Sequence, residues 1–148
     1  NPDKTVIAIS GDGGIQMNIQ EMATAIVYEL PVIICILNNG YLGNVRQWQE
    51  MFYDRRYSAT CMRYRKSCAS YCSRPEEECP EYTPDFVKLA ESYGARGMRV
   101  TDADNIKTAL IEAKQNRQTP TVIEFIIARE ANVLPIVPPG RSLSEMIF

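Results

Sequence analysis

An α/β fold, with a parallel sheet sandwiched by helices, is predicted by three observations. Thr5–Ser10 (TVIAIS), Val32–Leu37 (VIICIL) and Thr121–Ile127 (TVIEFII) are short, nearly all-apolar runs rich in β-branched residues, the pattern of strands buried in a parallel sheet. Stretches with apolar residues at helical spacing lie between them. Glycines and asparagines cluster just beyond the first two runs, at the strand ends where such sheets gather ligands.

The first strand runs into Gly11-Asp12-Gly13-Gly14, where the glycines permit positive φ and close approach of a ligand. A helix is expected from Asn18, with Glu21 completing a capping box and with Ile19, Met22, Ala23, Ile26 and Leu30 facing the core. Val32–Leu37 then closes a right-handed βαβ unit, which places Asp12 and Asn39 at neighbouring strand ends. A glycine turn before a helix N-terminus suits phosphate, but Asp12 repels a bare phosphate. A hard divalent cation such as Mg2+ between the carboxylate and the phosphate oxygens removes the conflict. The Asn39 amide oxygen and a backbone carbonyl just after it, that of Tyr41, can complete the protein's share of the shell. Taken singly, GDGG reads as a tight turn and Asn38-Asn39-Gly40 as ordinary turn chemistry.

Asn44–Gln49 (NVRQWQ) is expected to be a short helix, with Trp48 a core aromatic on its own merits and Arg46 equally readable as a solvated helix residue. From about 60 to 82 the composition changes: Cys61, Cys68, Cys72 and Cys79 lie in a stretch with a basic first half and an acidic second half. None of the spacings is CxxC, and free thiols, a zinc or iron–sulfur site and disulfides all remain open. Cys35 reads as a small buried side chain. Thr83 can cap a helix with Pro84 at its first position, Phe86, Val87, Leu89, Ala90 and Tyr93 inward, and Gly94 past its end. A brief strand over Gly97–Val100 follows, and then a helix from Asp102 or Asp104 with Ile106, Ala109, Leu110 and Ala113 inward. The tail from about 131 to 148 is apolar and proline-rich, so Val133, Leu134, Ile136 and Val137 need a surface to cover.

Composition bounds the function. At 148 residues the chain is one domain able to bury a proper core, and its 45% hydrophobic and 23% charged residues are those of an ordinary globular protein. A net charge of −2 gives no reason to expect nucleic acid or an anionic membrane as partner. No apolar run approaches spanning length, and Asn1 opens no signal peptide. The chain has no histidine, which excludes imidazole-based triads and His-containing zinc hydrolase sites. A protein so poor in catalysts fits an enzyme whose cofactor performs the difficult chemistry.

GDG followed after a βαβ-sized interval by Asn38-Asn39 resembles the thiamine diphosphate motif. The stretch NNGYLGNVRQWQEMFYDRRYS, with VRQWQ and the tail ANVLPIVPPG, resembles the C-terminal cofactor domain of the acetolactate synthase large subunit. The resemblance runs from about Thr5 to the C-terminus, interrupted at about 60–82 by what reads as an insertion. It implies a thiamine diphosphate-binding fold and a cofactor site of Gly11, Asp12, Gly13, Gly14, Asn39, Tyr41, Leu42 and Gly43, with Mg2+ on Asp12, Asn39 and the Tyr41 carbonyl. It implies a substrate channel lined by Asn44, Val45 and Trp48, the tryptophan favouring 2-oxobutyrate as second substrate. Family members usually carry Met where this chain has Asn44, which alters the size and polarity of that channel.

The resemblance further implies decarboxylation of pyruvate on the cofactor and condensation of the two-carbon unit with a second 2-oxo acid, in branched-chain amino acid biosynthesis in the cytoplasm. It implies a homo-oligomer, a small regulatory subunit, and an FAD bound outside these residues. The glutamate that activates the cofactor belongs to an N-terminal domain of the family. The chain is therefore expected to be the cofactor domain of a longer protein, with no catalytic side chain of its own and no turnover alone. A sister thiamine enzyme, such as a 2-oxo acid decarboxylase or glyoxylate carboligase, would keep Asp12 and Asn39. A non-catalytic assembly module around a Cys-bound metal is the other class, and a nucleotide-binding Rossmann domain is disfavoured because the turn lacks GxGxxG.

Overall fold

The computed structural model describes residues 3–68, 79–82 and 84–148. Its strands are β1 (Ile7–Gly11), β2 (Ile33–Asn38), β3 (Arg96–Val100) and β4 (Thr121–Ile126). They form one all-parallel sheet in the order β1-β2-β4-β3. The helices are α1 (Asp12–Ile15), α2 (Glu21–Val27), α3 (Gly43–Phe52), α4 (Phe86–Ser92) and α5 (Ile106–Gln115).

Alternation along the strands sends side chains to two separate cores. Ile33, Cys35, Val100, Ile123 and Phe125 pack under Ala109 and Ala113 of α5 on one face. Ile36 and Val122 pack under Met22 of α2 and Phe86 and Ala90 of α4 on the other. The sandwich expected from the sequence is thus present. Its central strands are β2 and β4, and all of β4 up to Phe125 is buried.

Four local expectations change. β1 is an edge strand among the described residues, and its Ile7 and Ile9 are 49% and 72% exposed. The GDGG segment is not a positive-φ turn: α1 starts at Asp12, Gly11 has φ −78°, and the positive-φ glycines are Gly40, Gly94 and Gly140. Helix α2 starts three residues later than expected with no side-chain cap. Asn18 only lends its backbone carbonyl to Glu21, and Ala23 and Leu30 are exposed. In α5, Ile106 is 40% exposed, and Asp102 caps a short 3-10 turn over Ala103–Asn105 before the α-helix begins.

The expected cap Thr83 lies outside the described residues. Asp85 caps α4 instead, its carboxylate accepting from the Val87 and Lys88 amides, a contribution of about 1 kcal/mol. Gly94 ends that helix at φ +86°, as expected. Beneath α4 the strand β3 approaches closely. A Cβ on Gly97 would stand 2.7 Å from the Val87 carbonyl oxygen and 2.9 Å from Val87 Cγ1. Gly97→Ala is therefore expected to lower stability by about 1–3 kcal/mol through overpacking, checked by urea unfolding; an unchanged midpoint would contradict this packing.

Candidate functional site

β1 and β2 deliver their carboxyl ends side by side, Gly11 standing opposite Leu37 in the register. Asp12 follows β1 directly, and its side chain is buried at 2% exposure. The loop after β2 turns back over it. Gly40 N–H lies 3.0 Å from Asp12 Oδ2 and 3.0 Å from Asn38 Oδ1, so one amide ties the two strand ends together. Gly40 can do so because it occupies φ +74°, a conformation that favours glycine. Burial pushes the Asp12 carboxyl above the usual carboxylate range, against the Gly40 and Gly13 amides that favour the charged form. A carboxylate so desolvated is stabilised by a cation at its free edge. Tyr82 also faces it: the phenol accepts from Gln16 Nε2 at 2.9 Å, and burial together with the Asp12 charge raises its pKa far above the ordinary tyrosine value.

The other expected ligands lie in the same loop. Asn39 Oδ1 accepts from Tyr41 N–H at 2.9 Å, which leaves that oxygen a second lone pair. Tyr41 pairs antiparallel with Cys61, flanked by bonds from Met62 N–H to the Gly40 carbonyl at 2.8 Å and from Leu42 N–H to the Thr60 carbonyl at 2.9 Å. In that pattern the N–H and C=O of the central residue point away from the partner. The Tyr41 carbonyl is consequently turned to the side on which Asn39 Oδ1 receives its amide.

The glycines differ in what requires them. A Cβ on Gly13 would stand 2.6 Å from Leu42 Cδ2, one on Gly14 would stand 2.9 Å from Ser10 Oγ, and one on Gly43 would stand 3.1 Å from Asn39 Nδ2. A Cβ on Gly11 would meet nothing within 4 Å beyond its chain neighbours. Thus Gly13 lets the two loops close on each other, Gly14 and Gly43 make room for side chains of their own segments, and a side chain at Gly11 would meet open space. The oxygen donors fit Mg2+: one buried carboxylate, one amide carbonyl and one peptide carbonyl are the hard ligands it takes.

Helix α3 leaves this loop with an inverted face pattern. Val45 and Trp48 are 40% and 45% exposed and Asn44 is exposed, whereas Arg46 and Gln47 are buried. Trp48 is therefore no core aromatic and Arg46 no solvated one. The Arg46 guanidinium donates to the Glu130 carbonyl at 2.8 Å and to Asn132 Oδ1 at 3.0 Å, and lies 5.9 Å from the ring centres of both Tyr41 and Tyr57. Gln47 exchanges two hydrogen bonds with the Val133 backbone, both 2.9 Å. These contacts hold the tail by its root. Beyond it Ile136 pairs with Ile147, while Val133 and Leu134 stay 70% and 46% exposed rather than covering a surface. Gln47→Leu is expected to speed amide exchange at Val133 at least tenfold, the loss of about 1.5 kcal/mol of hydrogen bonding, measured by hydrogen exchange. Unchanged protection there would show that the tail is held elsewhere.

The cysteines separate. Cys35 is buried as expected, and Cys61, Cys68 and Cys79 carry free thiols; Cys72 lies outside the described residues. Among the described residues no three Cys, Asp or Glu side chains are grouped to hold a metal. Cys79 Sγ accepts from Arg129 at 3.4 Å, and the same guanidinium donates to Tyr41 Oη at 2.9 Å. Sequence reasoning singled out neither Tyr82, Arg129 nor the inward role of Arg46, and nothing in their spacing signals those contacts.

The chain is similar over nearly all of its length to known proteins. Acetolactate synthase large subunits of Parasynechococcus marenigrum and Corynebacterium glutamicum are 42% and 43% identical, each alignment covering 99% of this chain and 21% of the relative. The chain thus spans about a fifth of the length of these relatives. A thiamine diphosphate-dependent 4-hydroxybenzoylformate decarboxylase of Rhodococcus jostii superposes with a TM-score of 0.68 at 31% identity, over 88% of this chain and 21% of that one. Among the described residues no helix is long and apolar enough to cross a membrane. Residues 1–125 match the family described as thiamine pyrophosphate enzyme, C-terminal TPP binding domain, and the chain belongs to that family.

Proposed function

We propose that the chain is the cofactor domain of an acetolactate synthase large subunit. The observation that carries the proposal is the convergence of Asp12 with the Asn39–Tyr41 loop through the Gly40 amide. On this reading Asp12, Asn39 and the Tyr41 carbonyl hold Mg2+, and Gly11, Gly13, Gly14, Leu42 and Gly43 shape the diphosphate cradle. Thiamine diphosphate, when bound, supplies the nucleophilic carbon and the electron sink that 2-oxo acid decarboxylation requires. The chain's residues bind, orient and desolvate: buried Asp12 fixes the metal's position, and the exposed face of Asn44, Val45 and Trp48 offers the second 2-oxo acid an apolar wall with one amide.

Pyruvate and 2-oxobutyrate are the substrates of this reading. Its setting is a cytoplasmic homo-oligomer, consistent with the free thiols of Cys35, Cys61, Cys68 and Cys79. A small regulatory subunit, an FAD and the activating glutamate are supplied from outside these residues. Residues from about 60 to 82 are an insertion in this domain, and those from about 131 to 148 an arm. The 148 residues alone are then expected to show no turnover. Product analysis with pyruvate tests the assignment on the complete gene product. Acetolactate dependent on thiamine diphosphate and Mg2+ is expected. Acetaldehyde instead would favour a decarboxylase, the activity of the Rhodococcus structural neighbour, with Asn44 the first position to exchange for Met.

A further inference from the structure

We infer that Arg63 is a cofactor-binding residue that gives the diphosphate a cationic contact, so that the start of the cysteine-rich segment completes the site it adjoins. The inference rests on the thiamine diphosphate reading above. The backbone pairing of Thr60 and Met62 with Gly40 and Leu42 fixes the segment's first residues against the metal-ligand loop. Thr60 is 2% exposed, and Met62 Cε comes within 3.9 Å of the place a Cβ on Gly13 would take. Arg63 follows directly. Its Cγ and Cδ lie 3.5 Å, and its Nε 3.1 Å, from the corresponding place on Gly40, so the side chain is laid along the turn between Asn39 and Tyr41. Nε is buried with no hydrogen-bond partner among the described residues.

A buried guanidinium N–H without an acceptor is unfavourable, and the group's forked geometry suits phosphate oxygens. Charge balance points the same way. A diphosphate beside Asp12 carries more negative charge than one Mg2+ cancels. The other arginines around the loop are engaged, Arg46 with Glu130 and Asn132 of the tail and Arg129 with Tyr41 and Cys79. The Nε of Arg129 is likewise buried without a hydrogen-bond partner among the described residues, but it lies 3.9 Å from Glu130 Oε1, and it is Arg63 whose side chain lies along the Gly40 turn.

The test is a pair of calorimetric titrations on the complete gene product and its Arg63→Gln and Arg63→Lys variants, one with thiamine diphosphate and Mg2+ and one with unphosphorylated thiamine. Arg63→Gln is expected to weaken thiamine diphosphate about ten- to a hundredfold, the range of a hydrogen bond to a charged group, while thiamine binding stays unchanged. Arg63→Lys is expected to recover part of the loss. Equal affinity in Arg63→Gln would overturn the inference, as would an equal loss for thiamine, which marks a merely loop-shaping role. A raised KM for pyruvate with cofactor affinity intact would move the contact to the substrate carboxylate and also overturn it. If the unaltered protein binds no thiamine diphosphate, the reading beneath the inference fails, and the inference falls with it.

Discussion

Replacing Asp12 by Ala is expected to weaken Mg2+-dependent binding of thiamine diphosphate by more than about a hundredfold. Even groups that only support a metal ligand are worth about 10- to 100-fold in affinity, and Asp12 is the one charged oxygen in the proposed shell. The carboxylate also accepts the Gly40 amide at 3.0 Å, so loss of binding in the alanine variant could arise from a displaced loop. Asp12→Asn separates the two effects: it retains an acceptor for Gly40 and removes the charge. The asparagine variant is expected to keep the parent's melting temperature, or to exceed it, because a desolvated charge has been removed. It is nevertheless expected to lose most of the metal-dependent binding. Full binding in Asp12→Asn would assign Asp12 to loop structure alone.

The largest effect on stability is expected at Glu124. This carboxylate, 2% exposed, accepts from Asn38 Nδ2 at 2.6 Å and from Arg99 Nε at 2.6 Å. Arg99 in turn reaches Asp85, the cap of α4, at 2.8 Å. One chain of polar contacts therefore runs from α4 across β3, β4 and β2 to Gly40 and Asp12. Glu124→Leu leaves the buried Asn38 amide without an acceptor and frees Arg99. Breaking a buried pair typically removes 3–5 kcal/mol; because Arg99 is 42% exposed and can turn to water, about 3 kcal/mol is expected here. For a chain of this size that is a fall in Tm of roughly 10 °C. Glu124→Gln, which keeps an acceptor for Asn38, is expected to lose less than half as much. Thermal melts of both variants decide it: equal losses would show that the acidic charge alone matters, and no loss in either would remove the network from the account.

That network marks the boundary of what the sequence discloses. The strands β2 and β4 were legible because a strand buried on both faces must be apolar throughout, and α4 because cap, stripe and terminal glycine agree. Glu124 interrupts the apolar run of β4, but its partners Asn38 and Arg99 are 86 and 25 residues away, and no local pattern pairs them. The exposure of β1 was illegible for a related reason. Strand order is set by long-range pairing, and Ile7 and Ile9 have the composition of a central strand while occupying an edge. Helix α3 misleads in the opposite sense, since burial of Arg46 and Gln47 depends on a tail more than eighty residues further on. For the site, Asp12 and Asn39 could be read from strand-end logic. Tyr82 and Arg129 could not, nor could the place of Arg63 along the Gly40 turn, since they arrive from segments whose path over the sheet is fixed only by folding.

The most direct test of the central claim is a crystal structure of the complete gene product grown with thiamine diphosphate and Mg2+. A metal ion touching Asp12, Asn39 Oδ1 and the Tyr41 carbonyl is expected, with the diphosphate in the opening beside Gly11. A diphosphate seated elsewhere, or a metal held without Asp12, would contradict it.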